Sequence, residues 1–277
     1  MDDGQAGERQ MRALRETARR HLADEDARRW YALVRPVIRL VGEEEAGAGA
    51  GEPAAARLGG LPLLPRGAHW PAGPPGGVPP VHLASLDCAA LPAGWLDVAL
   101  PADGTLLFFA PGAEGAGGPA DGPLVYVPAG TPCRAVGAPP GVAVLPAVRL
   151  FARRDASAPF PDHSCVREAF ALDTWADPYD HPVHGQGFVD ELGERVHRVE
   201  HRVGGYPVNA GAAGDGAVSG PGRVMLAQFT CGRPVPGAQG GAQAGGDGGG
   251  GVLVWTVRRE DLARKSFGEA VLLRHRW

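Results

Sequence analysis

Leu58-Gly59-Gly60-Leu61-Pro62 recurs as Val203-Gly204-Gly205-Tyr206-Pro207, and the repetition does not stop at the turn. His82-Leu83-Ala84-Ser85-Leu86-Asp87 returns as Met225-Leu226-Ala227-Gln228-Phe229-Thr230, and Gly104-Thr105-Leu106-Leu107-Phe108-Phe109 as Gly251-Val252-Leu253-Val254-Trp255-Thr256. Spacing is kept as well: Gly59 to Leu83 spans 24 residues against 22 from Gly204 to Leu226, and Leu83 to Gly104 spans 21 against 25 from Leu226 to Gly251. Three blocks in one order predict an internal duplication. Each copy reads as a tight glycine turn, since glycine adopts positive φ with no Cβ in the way, followed by two short apolar strands. The second strand starts from a turn glycine, the usual entry to a hairpin. The expected fold is α+β and sheet-rich, with two halves, about 57–150 and 186–277, related by a pseudo-twofold axis and sharing one core.

Outside the repeated blocks, residues 8–34 place Met11, Leu14, Ala18, Leu22, Trp30, Leu33 and Val34 near a 3.6 period among Arg and Glu. That spacing predicts an amphipathic N-terminal helix over residues 1–33 ahead of a domain at 34–277. Pro36 ends it, because the residue before a proline leaves the helical region, and Val37-Ile38-Arg39-Leu40-Val41 reads as a strand. Residues 42–56 have Glu, Gly and Ala with no period and read as a flexible connector, as does the low-complexity run 232–250, with 111–122 a shorter case. Further strands are expected at 123–127, 141–151 and, more weakly, 165–172, and a helix over 186–202 that stops at Gly204.

Of the 277 residues, 43 are Gly and 27 Pro, a composition that borders on disorder, yet the chain has one lysine, Lys265, one isoleucine, Ile38, and one asparagine, Asn209, a bias that codon usage in a GC-rich genome imposes. A hydrophobic content of 44% and a formal charge of −4 argue for a folded protein and against a nucleic-acid partner. No run of 18 apolar residues supports a membrane span, and the acidic start lacks the basic and apolar regions of a signal peptide. Cys88, Cys133, Cys165 and Cys231 form no Cys-x-x-Cys pair, so they read as reduced core thiols of a cytoplasmic protein.

Taken together, these blocks resemble the YwqG-like family, also described as domain of unknown function 1963. The likeness rests on Val34-Arg-Pro-Val-Ile38, Arg57-Leu-Gly-Gly-Leu-Pro-Leu-Leu-Pro65, Trp70-Pro71, His82–Asp87 and Gly104–Phe109. In the second half it rests on His201-Arg-Val-Gly-Gly-Tyr-Pro207, Met225–Thr230, Gly251–Thr256, Arg259-Glu-Asp-Leu262 and Phe267. The resemblance covers residues 34–277 and implies a bacterial cytosolic protein of mixed α and β structure with no agreed catalytic activity. Departures stand at Ser85, where the family's strand has Gln, and at Thr230, where it has Asp. The family's Gln-rich stretch after the second turn is replaced by the Gly- and Ala-rich run 208–223.

Three constellations bear on chemistry. His197-Arg-Val-Glu200-His201 fits the inverted zincin pattern, in which two histidines on one helix face hold zinc and the glutamate activates water. This gives the alternative reading of a metal-dependent hydrolase using His197, Glu200 and His201. Asp177-Pro-Tyr-Asp-His181-Pro-Val-His184 gathers carboxylates and imidazoles in a proline-rich loop whose spacing dictates no coordination geometry. The pairs Gly59-Gly60 and Gly204-Gly205 serve tight packing or cradle an anion through backbone amides. Trp70, Asp87, Tyr206, Gln228 and Trp255 fall on or near the repeated blocks, where a cleft between two halves would suit recognition, and His201 precedes the second turn. Arg35 and Arg57 would anchor an acidic group or pair with Asp87. No serine-nucleophile elbow, phosphate loop or dinucleotide fingerprint is found in the sequence. The reading that follows is a non-enzymatic module binding a protein or small-molecule ligand, with no cofactor implied; protection against a toxin by direct binding is a further form of it.

Overall fold

Ten antiparallel strands make one sheet. The structure, a computed structural model, describes residues 3–49, 51–73, 77–111, 122–174, 177–196, 201–208, 222–231 and 251–276. In chain order the sheet strands are β1 Arg35–Val41, β2 Ala56–Leu58, β4 Val81–Asp87, β5 Thr105–Ala110, β6 Leu124–Val127, β8 Val148–Ser157, β9 His201–Val203, β10 Arg223–Cys231, β11 Gly251–Arg258 and β12 Val271–Arg276. Two short strands, β3 Leu63–Pro65 and β7 Cys133–Ala135, pair separately. The helices are α1 Asp3–His21, α2 Asp24–Tyr31, the single turn α3 Glu43–Ala46, α4 Ser164–Ala169, α5 Gln186–Arg195 and α6 Arg259–Ala263.

The fold is α+β and dominated by this sheet. Strands of the first half, β2, β4, β5 and β6, lie in that order on one side of the β1–β8 pair, and β9, β10, β11 and β12 lie in that order on the other. The irregularities match too. A bulge at Leu83 interrupts β4 beside β5, and one at Leu226 interrupts β10 beside β11. The two halves are therefore edge-joined sectors of a single sheet, not two separate sheets laid face to face.

Curling brings the far ends together. The Trp255 indole of β11 donates to the Gly122 carbonyl at 3.1 Å, just ahead of β6, and a Cβ on Gly122 would lie 2.6 Å from Leu272 of β12. Inside the curl one apolar cluster takes Leu86, Leu106 and Phe108 from the first half, Leu226, Phe229 and Trp255 from the second, and Ile38, Leu40 and Leu150 from the central pair. Phe108 meets Phe229 and Trp255 edge-on at 5.0 and 5.2 Å between ring centroids. Aromatic pairs in this geometry add to what burial alone supplies.

A second apolar cluster seats the helices, with Leu14, Ala18, Trp30, Phe188 and Leu192 at its centre. Glu191 of α5 ties α1 to it, accepting from Thr17 at 2.9 Å, Arg20 at 2.5 Å and Arg195 at 2.8 Å, with the His21 ring at 2.8 Å. Those partners, Arg195 foremost, hold its carboxyl well below the usual carboxylate range.

Several sequence expectations are corrected. The helix expected over 8–34 is two helices, because Ala23 turns extended (ψ 154°) and Asp24, Glu25 and Asp26 start a new N-terminus, where acidic groups oppose the helix dipole. The strand expected at 141–151 begins at Val148 and runs to Ser157, its polar second half having no alternation of apolar residues. The weak strand at 165–172 is α4, capped by the His163 ring, whose Nδ1 accepts from the Cys165 amide at 3.2 Å. The helix expected over 186–202 ends at Arg195, and His201 begins β9. The connector 42–56 contains α3 and enters β2 through the buried Ala55. The run 232–250 lies outside the described residues. No helix among the described residues is long and apolar enough to cross a membrane.

Candidate functional site: an arginine-bearing face of the sheet

The two glycine turns are built alike. Gly59 and Gly60 have φ of 61° and 68°, Gly204 and Gly205 of 74° and 73°, all in the left-handed region that favours glycine. The Gly59 amide donates to Leu83 at 2.7 Å and the Gly204 amide to Leu226 at 3.1 Å, so each turn is pinned to the bulge of the neighbouring strand. Gly60 donates to Leu145 at 2.8 Å. With three of the four amides given to main-chain carbonyls, the turns do not form the anion cradle that their sequence allowed.

What each turn does hold is an arginine. Arg57 reaches over Gly59-Gly60 to the Leu61 carbonyl at 2.7 Å, and Arg202 reaches over Gly204-Gly205 to the Tyr206 carbonyl at 3.5 Å. Each arginine stands two residues before its glycine pair, and each faces away from the core cluster that holds Leu58 and Val203. Beside Arg57 lies Ser85, whose hydroxyl is 3.1 Å from His82 Nε2. His82 Nδ1 is 3.0 Å from the Gly60 carbonyl, which can only accept, so the proton sits on Nδ1 and Nε2 accepts from Ser85. Burial pushes the His82 imidazole down to about 4, with the Arg57 charge acting the same way.

In the second half Gln228 takes the place of Ser85, opposite Arg202. Its Oε1 accepts from the Val208 amide at 2.8 Å, which fixes the orientation of the side chain. Its Nε2 is buried and, among the described residues, has no hydrogen-bond partner. The His82 position, one residue before the bulge, is Met225 here, and a thioether offers the amide only a weak acceptor.

Cross-strand register extends the arginines into a row. Gln228 pairs with Arg202, Arg202 with Arg39 and Arg39 with Arg153, across β10, β9, β1 and β8, while Arg57 pairs with Arg149 one step along. Register partners share a face, so five arginines stand on the face opposite the core across four adjacent strands. Their acidic partners come mostly from the loop between β1 and β2. Arg39 pairs with Glu45, Arg153 with Glu52 at 2.6 Å, and Asp155 of β8 lies 3.7 Å from Arg39. Main-chain carbonyls add to this: Arg153 donates to Ala46 at 2.6 Å and Arg149 to Glu52 at 3.3 Å. The Arg153 hydrogen bond holds the Glu52 carboxyl below its ordinary range. A guanidinium fork is suited to carboxylates, carbonyls and phosphates, and this face presents several forks fixed by sheet register.

The residues singled out from sequence fall into separate places. Arg35, Gly205 and Tyr206 come together at the end of β1: the Arg35 guanidinium lies 4.7 Å over the Tyr206 ring, the Tyr206 hydroxyl donates to Leu33 at 2.7 Å, and a Cβ on Gly205 would lie 2.6 Å from Ser157. Arg35 pairs with Asp97 at 3.8 Å and Arg57 with a carbonyl, so neither takes Asp87, which instead accepts from the Ala89 amide at 3.0 Å and caps a short turn. Trp70 lies on the outside of β5, its ring 5.5 Å from Phe109 and its indole donating to Pro80. Trp255 belongs to the interior core.

His201 also points inward. Its Nδ1 accepts from the Thr230 amide at 3.1 Å, and burial pushes it down to about 4. Because it sits on a strand, the four-residue interval to His197 does not put the two on one helix face; His197 and Glu200 lie outside the described residues. In the loop at 177–184, His181 Nδ1 accepts from Val183 at 3.1 Å and His184 lies 4.0 Å from Asp162. Among the described residues no three His, Cys, Asp or Glu side chains gather as metal ligands.

Sequence reasoning passed over Arg39, Arg149, Arg153 and Arg202. The available signal was an arginine two residues before each glycine pair, Arg57 and Arg202. The profile of the family described as "Domain of unknown function (DUF1963)" matches residues 56–274. The chain belongs to that family. The matched family region holds Arg57, Arg149, Arg153 and Arg202, whereas Arg39 and the loop that brings Glu45 and Glu52 precede it. No curated protein matches the chain.

Proposed function

We propose that the chain is a non-enzymatic binding module whose recognition face is the outer side of β9, β1, β8 and β2, and that its ligand is anionic. The observation that supports this is the set of five arginines held in register on one face, opposite the core, of which Arg202 is buried and Arg39, Arg57, Arg149 and Arg153 are at least partly exposed. Like charges this close are unfavourable unless acceptors face them, so the face is matched to carboxylate or phosphate oxygens.

We also infer that the two halves are copies of one ancestral unit, supported by the mirrored strand order, the matching bulges and the arginine reaching over each glycine pair. The proposed setting is the cytosol, in keeping with four free cysteines, and the proposed partner is a protein or small molecule.

Calorimetric titration with citrate tests the binding reading. Binding is expected in the wild type, weakened at least about tenfold in Arg39→Gln/Arg153→Gln, and weakened by added salt as screening requires. No binding of citrate, or equal binding by the double variant, overturns it.

A further inference from the structure

The arginine row already has an occupant. Residues 42–55 leave β1 after Val41 and enter β2 after Ala55, both buried, so the segment is a strap tied at its two ends. Between those ties it meets the sheet chiefly through oxygens. Glu45 takes Arg39 and Glu52 takes Arg153; the Ala46 carbonyl accepts from Arg153 Nη2 at 2.6 Å and Nε at 3.3 Å, and the Glu52 carbonyl accepts from Arg149 at 3.3 Å.

Its glycines show how light the remaining contact is. A Cβ on Gly47, Gly49 or Gly51 would find nothing within 4 Å, so at these points the strap stands clear of the protein. The arginine side chains are 17% and 22% exposed at Arg39 and Arg153, the carboxylates 43% and 34% at Glu45 and Glu52. The cations are thus set by strand register in the sheet, whereas their carboxylate partners, Asp155 of β8 apart, arrive from a loop above it. Ion pairs exposed to that degree add little to stability and weaken with salt.

An internal ligand reports what its site accepts. These arginines bind carboxylates and main-chain carbonyls of one Glu- and Gly-rich segment that opens with the single turn α3, a combination a free phosphate does not offer. Resting on the binding role proposed above, we infer that residues 42–55 are a displaceable internal ligand, and that the partner of this face is an acidic peptide segment of another protein that replaces the strap on Arg39 and Arg153.

The strap peptide itself is the probe: Gly-Glu-Glu-Glu-Ala-Gly-Ala-Gly-Ala-Gly-Glu-Pro, the sequence of residues 42–53, labelled and titrated into the full chain. Glu45→Gln/Glu52→Gln removes the strap's own carboxylates, leaving Asp155 beside Arg39, and is expected to bind the peptide at least about tenfold tighter than the wild type does. Arg39→Gln/Arg153→Gln is expected to lose peptide binding. In the wild type, excess peptide is expected to speed hydrogen exchange at the Ala46 and Gly47 amides, which donate to Gly42 and Glu44 in the docked strap. That measurement needs no variant to fold.

Equal peptide affinity in the wild type and the folded Glu variant, with unchanged exchange in the strap, overturns the inference. Polyuridylate binding to the Glu variant more tightly than the peptide also overturns it, in favour of a phosphate polymer. Arginine-dependent citrate binding without peptide binding would refute the strap while leaving the general binding reading in place; loss of both would refute both.

Discussion

His82 and His201 are neutral for the same reason in different surroundings. His82 lies under the first glycine turn and His201 against Phe229 inside the curl, and burial pushes both imidazoles down to about 4. His181 is lowered in the same direction, again by burial. In the unfolded chain each returns to about 6.5. The unfolded state therefore binds more protons between those values, and stability, full above pH 6.5, is lost as pH falls toward 4. Urea unfolding across that window is expected to show a slope approaching two protons, about 2.7 kcal/mol per pH unit, reduced by about one proton in His201→Gln. A flat profile would show that the imidazoles are not held neutral. Neither role was legible in the sequence: the alternative zinc reading of His201 extends a helix period to what is the first residue of a three-residue strand. His82 stood in a repeated block but had no counterpart in the other copy, where Met225 stands.

At the level of elements, the glycine turns, both hairpin strands of each copy and β1 were legible, because turn chemistry and apolar runs are local signals. The end of α5, the full length of β8 and the order in the 42–56 segment were not. Their causes are distant: β8 keeps its polar residues because they face arginines and loop carboxylates, and the segment after β1 is ordered by partners on β1 and β8. The turns themselves are expected to differ in tolerance. A Cβ on Gly59 would lie 2.2 Å from the Pro146 carbonyl oxygen and 2.7 Å from that of Leu145, both backbone, whereas on Gly204 the nearest atom is the Leu96 Cδ2 at 2.9 Å, the far end of a side chain that can shift. Both substitutions place alanine at positive φ, at about 1–2 kcal/mol. Gly59→Ala is expected to cost roughly 2 kcal/mol more than Gly204→Ala in thermal or urea unfolding, from the added steric conflict. Equal costs would mean that the segment at Leu145-Pro146 yields easily.

Over the whole molecule, the matched halves are not independent bodies. The Phe108, Phe229 and Trp255 rings interlock across the curl, and β1 and β8, neither of them in the repeated blocks, join the halves into one sheet. The three repeated blocks were readable in the sequence, and they fall on corresponding strands either side of that pair. Their joining was not, since β1 precedes both copies and its registers with β8 and β9 are long-range. That joining also makes the candidate site: the buried Arg202 comes from one half, Arg57 from the other, and Arg39, Arg149 and Arg153 from the strand pair between them. The most direct test is the arginine side-chain NMR spectrum, with Nε–Hε signals assigned by Arg→Lys substitution, recorded during titration with citrate. The expected result is saturable shifts at Arg39, Arg149 and Arg153, with Arg167 and Arg259 unmoved; shifts that leave those three signals in place while others move would contradict a recognition face at the junction of the two halves.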